Sequence, residues 1–435
     1  MHRDRPRSGD PQDRPTGLPV RDRQLSILIV GTGFDFPHGG GASSRVFWYA
    51  KGLAEAGDTV RVVSLALPSR DKRREAVASG TYQGLRYEYA CGSVVRPEAF
   101  WRRRWLELRR AVRTVDLVRD TVADSGDCVV LIYSEVTSWI VGLALLARAA
   151  GAGSVLDLCE FPLVWRRPGL WTSFHRAARM KLVCRLVDGV IPISTYLESY
   201  VRQCSRRTPA MLRVPVMIDP GLFPGEVARF PRRVLYCGTL FHLNETEQAI
   251  RVFARAAADM RDVRLSLVGG GPQHLRARAE LIARSVGLTD RVEFVDRLTR
   301  DELAARLAAA DVLILPRADG VFSRAGLPNK LGEYLASGRP VVTTGTGDIP
   351  LYLRDGMDAY LVPPGDDAAF SDRLRQALTH SEEASQVGAR GRAVATAQFD
   401  YRSHGVRLHE FLEECVRAGQ RSVRSGTGST AAGVG

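Results

Sequence analysis

One pattern constrains the fold of this chain more than any other. Short apolar, β-branched runs alternate with longer stretches of helical periodicity, and the series occurs twice. In the first half the apolar runs are Leu25–Val30, Thr59–Leu65, Cys128–Tyr133, Ser154–Leu158 and Val190–Ile193, with helical patterns such as Ser43–Ala56 and Ser138–Ala150 between them. In the second half the runs are Arg233–Cys237, Val263–Val268, Val292–Val295, Val312–Leu315 and Pro340–Thr343, separated by helical patterns over Glu245–Asp259, Leu275–Val286, Arg300–Ala309 and Lys330–Ser337. A strand with one wet face alternates polar and apolar residues, and these do not. They are expected to be covered on both faces, as in parallel sheets layered with helices. Two series in 435 residues predict an α/β chain of two doubly wound, Rossmann-like domains. A ligand belongs in the crevice at the carboxyl ends of such strands.

The natural break is the Pro-rich stretch Pro209–Pro231. The expected organisation is a disordered basic arm over residues 1–23, an N-terminal domain over 24–215 and a C-terminal domain over 216–395. A last helix over 396–418, packing back on the N-terminal domain, and a disordered Ser/Gly/Thr-rich tail over 419–435 complete it. The first 23 residues contain no apolar stretch, so they do not read as a signal peptide. The longest apolar run, Trp139–Ala147, is too short to span a bilayer. Seven scattered cysteines with no C-x-x-C pair predict reduced core thiols rather than a disulfide scaffold or a zinc module. The expectation is a soluble, cytoplasmic protein.

The formal charge of +13 implies an anionic partner or surface. Two segments hold most of the excess. Arg96–Asp120 carries eight Arg against four acids, and Trp165–Arg185 carries six basic residues and no acid. In the first, Trp101, Trp105, Leu108, Val112 and Val115 recur at helical spacing, while Arg102, Arg103, Arg109, Arg110 and Arg113 fall mostly off that stripe. Basic amphipathic helices with aromatics suit an anionic membrane surface; the competing reading is a helix whose apolar stripe faces the core. No basic strands interleaved with aromatics and no nucleic-acid module appear, so nucleic acid is not an expected partner.

The segment richest in chemistry is Gly326-Leu-Pro-Asn-Lys-Leu-Gly-Glu-Tyr-Leu-Ala-Ser-Gly-Arg-Pro-Val-Val342. It predicts a loop, a short helix from Lys330 to Ser337 with Asn329 as N-cap, a stop at Gly338 and a buried strand. A helix start offers free N–H groups and a positive dipole end, which suit a phosphate. Lys330 adds a cation in the first turn, where it is unfavourable unless an anion is bound. Glu333, one turn on, can accept hydrogen bonds from a ribose diol; a solvated glutamate on a plain helix is the alternative. A second feature is the triplet Gly39-Gly40-Gly41 after the first strand, which allows close approach of backbone to an anion or sugar. Gly31-Thr-Gly-Phe-Asp-Phe36 lacks the third glycine of a dinucleotide fingerprint, which counts against a nicotinamide enzyme.

The Gly326–Val342 segment resembles the nucleotide-sugar site of the retaining GT-B glycosyltransferases of group 1 (family 4-like). Leu267-Val-Gly-Gly-Gly-Pro272, Val292-Glu-Phe-Val-Asp-Arg-Leu298, Ala310-Asp-Val-Leu-Ile-Leu-Pro316, Asp355-Gly-Met-Asp-Ala-Tyr-Leu-Val-Pro-Pro-Gly-Asp366 and Tyr236-Cys-Gly-Thr-Leu240 resemble further motifs of that family, in order. The resemblance spans roughly Leu25 to Tyr401 and is far more specific in the C-terminal half. It implies a GT-B fold and transfer of a sugar from a nucleotide-diphosphate sugar to a hydroxyl on a glycan, a lipid-linked molecule or a small molecule. It also implies retention and no obligatory metal or other cofactor. Glu333 would hold the ribose, and Asn329, Lys330, Gly326 and Leu327 the diphosphate and sugar. Arg297 and Leu298 would flank the base, with Gly238 and Gly270 in the loops beneath. Gly39, Gly40 and Gly41 would form the acceptor and phosphate loop.

Departures accompany the resemblance. The first Glu of the family's pair is Ala325 here, Thr239 stands where Arg is common, and Asn244 stands near the usual Lys. Lys330, Arg317 or Arg324 could compensate. Asp157-Leu-Cys-Glu-Phe-Pro162 lies where the family often has His-Asp, which makes Glu160 a candidate for acceptor binding or proton handling, with His38 a second candidate. The remaining alternatives are a nucleotide-sugar epimerase on the same frame and a non-catalytic partner protein. No His/Asp/Glu cluster has the spacing of a tightly bound metal.

Overall fold

A computed structural model describes residues 23–66, 77–95, 97–160, 170–205, 208–223, 232–239 and 243–428. Most of the expected basic arm, the last residues of the tail, and the part of Trp165–Arg185 before Leu170 lie outside the described residues.

Two sheets account for the alternating pattern. The first contains β1 (Ser26–Gly31), β2 (Thr59–Ser64), β3 (Ser79–Tyr82), β4 (Leu85–Tyr89), β5 (Cys128–Tyr133), β6 (Gly153–Leu158), β7 (Gly189–Pro192) and β8 (Ala210–Met211). Their spatial order is β3-β4-β2-β1-β5-β6-β7-β8, and all neighbours are parallel except the β3–β4 pair. The second sheet contains β9 (Arg233–Cys237), β10 (Arg264–Val268), β11 (Val292–Val295), β12 (Val312–Leu315), β13 (Val341–Thr344) and β14 (Tyr360–Val362). It is parallel throughout, in the order β11-β10-β9-β12-β13-β14. Every residue of β1, β5, β6 and β12 is buried. Burying each Val, Leu or Ile contributes roughly 1.5–3 kcal/mol, which explains why apolar runs without alternation specify these strands.

The β3–β4 hairpin was not legible as two strands. Its turn is Gln83-Gly84, with φ of 47° and 82°, the double positive φ of a tight hairpin turn. Gln is a weaker signal there than Asn or Asp.

The helix Ser381–Phe399 belongs to the second unit, so it runs past the boundary expected at 395. The C-terminal helix Tyr401–Gly428 extends past the expected end at 418. It returns to the first unit, against the helix Gly41–Glu55 and β6. Two glycines permit that approach: a Cβ on Gly405 would lie 2.5 Å from the Gly52 carbonyl oxygen. The two units also meet directly. Ser194 Oγ donates to the Ala325 carbonyl at 2.6 Å, and the Thr195 N–H donates to Asp348 at 2.8 Å. All seven cysteines are free, and four are buried.

Candidate functional site

The carboxyl ends of both sheets face one cleft of about 670 Å³. Each sheet has its change of chain direction beside a strand whose following loop enters that cleft: β1 leads to Gly39–Gly41, and β9 leads to Gly238 and Thr239. This is the crevice expected of open parallel sheets.

The helix Asn329–Ala336 starts at the cleft wall. Its N-cap is Pro328, not Asn329 as expected. Asn329 occupies the first helical position, and its side chain reaches across the cleft, where Nδ2 donates to the Gly41 carbonyl oxygen at 2.9 Å. Proline at the cap provides no side-chain acceptor, so among the described residues no side chain caps the first N–H groups of this helix. Lys330 Nζ lies 3.3 Å from Tyr236 Oη and 3.5 Å from Glu245 Oε2, above the Tyr236 ring. Gly238 leaves room for both groups: a Cβ there would lie 2.5 Å from Tyr236 Oη and 2.6 Å from Lys330 Nζ.

Glu333 faces the cleft half-buried, and its carboxylate takes no hydrogen bond among the described residues. Burial pushes its carboxyl up to about 7, against the opposing pull of Arg300 and Lys330. Gly326 and Leu327 line the same wall, as do Arg297 and Leu298. Gly270 does not line the cleft; a Cβ on it would meet only the Arg297 side chain, at 3.9 Å.

The opposite wall comes from the first unit. Its helix begins at Gly41, two residues before the expected Ser43, with Gly40 as N-cap and no acidic residue in its first turn. Gly39 and Gly41 are both required by close contacts: a Cβ would lie 1.7 Å from Ser43 Oγ at Gly39 and 2.7 Å from Asn329 Nδ2 at Gly41. His38 lines the cleft with its ring edge-on to Tyr82, centroids 5.3 Å apart. Glu160 follows β6 and also lines the cleft. Its carboxyl is pushed up to about 7 by burial and by a hydrogen bond and like charge from Glu135.

Several contacts in the cleft carried no sequence signal. Arg45 is fully enclosed and donates to Asp157 at 2.9 Å and to the Pro215 carbonyl at 2.8 Å, which ties β6 to the segment joining the two units. Arg300 reaches from the second unit over the Phe47 and Trp48 rings of the first, at 4.2 and 4.7 Å. Glu245 accepts from Tyr236 Oη at 3.0 Å. Arg45 and Arg300 depend on partners more than a hundred residues away, which single-chain periodicity does not reveal.

The family model described as glycosyl transferases group 1 matches residues 231–380, the unit that contributes the Asn329–Ala336 helix. The phosphatidyl-myo-inositol mannosyltransferase of Mycobacterium leprae is 25% identical over 412 residues, covering 91% of this chain and 98% of that protein. The GDP-mannose-dependent alpha-(1-6)-phosphatidylinositol monomannoside mannosyltransferase of Mycobacterium tuberculosis is 31% identical over 292 residues, covering 62% of this chain and 72% of that protein. The chain belongs to the group 1 glycosyltransferases. Its fold is GT-B: the sucrose-phosphate synthase of Thermosynechococcus elongatus superposes with a TM-score of 0.68 at 19% identity, covering 91% of this chain and all of that one. This group 1 enzyme is therefore a glycosyltransferase. The relatives favour neither the epimerase nor the non-catalytic alternative.

In this transferase Ala325 is buried and its carbonyl is occupied by Ser194, so the residue serves the contact between units. Thr239 is exposed at the cleft. Of the three cations considered as compensation, Arg324 is removed by the geometry. It is exposed, does not line the cleft and forms a two-pronged pair with Asp319, at 3.0 and 2.7 Å. Lys330 and Arg317 both line the cleft.

Proposed function

We propose that the C-terminal unit binds the donor's nucleoside diphosphate at the start of the Asn329–Ala336 helix, with Glu333 on the ribose diol. The donor sugar then points toward the N-terminal wall, where the Gly39–Gly41 loop, His38 and Glu160 receive the acceptor hydroxyl. The observation that carries this reading is the helix start itself: N–H groups that no side chain caps, an adjacent ammonium and a carboxyl one turn along, all on one cleft wall. Arg297 and Leu298 flank the base. Lys330 and the helix dipole offset charge on the departing diphosphate, and closure of the units excludes water from the activated sugar. Glu160, held near neutrality beside Glu135, is the group suited to exchange a proton with the acceptor. Retention at the anomeric carbon and independence from divalent metal belong to the same proposal, and turnover that is abolished by EDTA would remove the latter.

The relatives' names include GDP-mannose and a phosphatidylinositol acceptor, so GDP-mannose is the first donor to test and a lipid-linked hydroxyl the first acceptor. Thermal-shift measurements with GDP, UDP and their sugars provide the test. One nucleotide should raise the midpoint in wild type by mass action and fail to do so in Glu333→Ala. A shift of equal size in the variant places Glu333 away from the ribose.

The helix Phe100–Asp124 favours a lipid surface. Among the described residues no helix is long and apolar enough to cross a membrane. Yet Trp101, Trp105, Leu108 and Val112 are 81%, 57%, 63% and 54% exposed, while Leu106, Thr114, Leu117, Val118 and Thr121 face the core. The apolar stripe therefore points to solvent, flanked by exposed Arg102, Arg104 and Arg109. Leu182, on the second basic helix, is 46% exposed. We propose that this face docks on an anionic leaflet, the cytoplasmic one, and brings the cleft to a lipid-borne acceptor. Vesicles of anionic lipid should sediment the protein and neutral ones should not. Equal pelleting, or no effect of Trp101→Ser with Trp105→Ser, removes the membrane reading.

A further inference from the structure

We infer that Arg317 is the guanidinium that grips the donor's diphosphate in this chain, in place of the cations absent at Thr239 and Asn244. The inference rests on the nucleotide reading above.

Arg317 follows β12 at its carboxyl end, and its backbone is fixed on both sides. Its N–H donates to Thr344 Oγ1 at 2.9 Å, and the same hydroxyl donates to the Arg317 carbonyl oxygen at 3.0 Å. The side chain lines the cleft, yet the residue is only 5% exposed. Nε is buried without a hydrogen-bond partner, and no side-chain hydrogen bond or ion pair is formed by this guanidinium among the described residues. A buried guanidinium is normally paired, because five donors and a full charge are costly to remove from water unanswered. Desolvation pushes its pKa down accordingly, with the nearby Glu245 and Tyr236 opposing the shift.

The other cations of the cleft each have a neighbour of their own or stand exposed. Lys330 is shared between Tyr236 and Glu245, and Arg45 is paired with Asp157. Arg300 lies over Phe47 and Trp48, and Lys51 over Phe47, Trp48 and Tyr401. Arg297 is exposed. Among the described residues Arg317 is thus the buried cation of the cleft with no hydrogen-bond or ion-pair partner. It is also close to the Lys330 site, because the same two side chains, Tyr236 and Glu245, act on both. A planar fork matches two oxygens of one phosphate, whereas an ammonium supplies only a point charge. The fork and the uncapped helix start together form a cradle for a diphosphate rather than for a neutral sugar.

The test is titration calorimetry of wild type, Arg317→Met and Arg317→Lys with a nucleoside, its monophosphate and its diphosphate, alongside the thermal midpoint of each unliganded protein. Arg317→Met should bind the diphosphate at least about tenfold more weakly, with nucleoside affinity unchanged. Its unliganded midpoint should stay level or rise, because an unanswered buried charge has been removed. Arg317→Lys should fall between the two. Equal weakening for nucleoside and diphosphate, or a diphosphate affinity equal to wild type, overturns the inference. If Arg317→Met unfolds, wild-type diphosphate affinity in Arg317→Lys overturns it equally. Wild type that binds no nucleoside diphosphate at all defeats the nucleotide reading itself, a separate outcome.

Discussion

Replacing Glu333 by Gln separates charge from shape in the proposed ribose clamp. The wild-type carboxyl is pushed up to about 7 by burial. One unit below that value only about a tenth is ionised, so binding that requires the carboxylate weakens about tenfold, or ~1.4 kcal/mol per unit. Gln fills the same space with one neutral acceptor. Losing the charge assistance of two hydroxyl donors is expected to cost about 2 kcal/mol, roughly 30-fold in Kd. Calorimetry with GDP and UDP between pH 6 and 8.5 provides the measurement. Phosphate ionisation contributes to both curves, so the difference between wild type and Glu333→Gln isolates the carboxyl. That difference should be largest at high pH and shrink to about threefold near pH 6. Coincident curves, or a gap independent of pH, would refute the assignment. Stability without ligand moves the opposite way. The folded carboxyl keeps a proton between its ordinary value of 4.5 and about 7, so folding stability falls as pH rises through that window. Glu333→Gln should lose that component of the decline.

Three further outcomes are expected. Arg45→Met leaves Asp157 buried without its cation, held only by the hydrogen bond from Tyr49 Oη, and chemical denaturation should show a loss of roughly 3–5 kcal/mol; an unchanged midpoint contradicts the pairing. Gly405→Ala forces the C-terminal helix away from Gly52, where its Cβ would lie 2.5 Å from a backbone oxygen, and should cost about 1–3 kcal/mol by thermal unfolding. Asn329→Ala removes the 2.9 Å hydrogen bond across the cleft, worth about 1 kcal/mol, so small-angle scattering should report a wider unliganded particle, whereas an identical profile assigns closure to other contacts.

The strands of both sheets were legible because parallel, doubly covered strands are apolar from end to end, and β5, β9, β11 and β12 fall on the expected residues. The Asn329–Ala336 helix was legible from its glycine stop, since Gly338 takes φ of 73°. The N-cap was misread because Asn329 is a good cap by type, while its amide is used instead on Gly41, far away in sequence. The apolar stripe of Phe100–Asp124 was legible as a stripe, but its direction was not. Periodicity gives the spacing of a face and carries no information about what the face meets.

Contiguous residues were enough to specify the two-sheet α/β architecture, the place of the cleft at the strand ends and the segment that resembles the family's nucleotide-sugar site, because local propensity and burial act between neighbours in the chain. Which charges find a partner within the protein emerged only on folding. Arg324, Lys330 and Arg317 look alike along the chain; only folding places Asp319 against the first, Glu245 against the second and nothing against the third among the described residues, because pairing is set by distance in space rather than along the sequence.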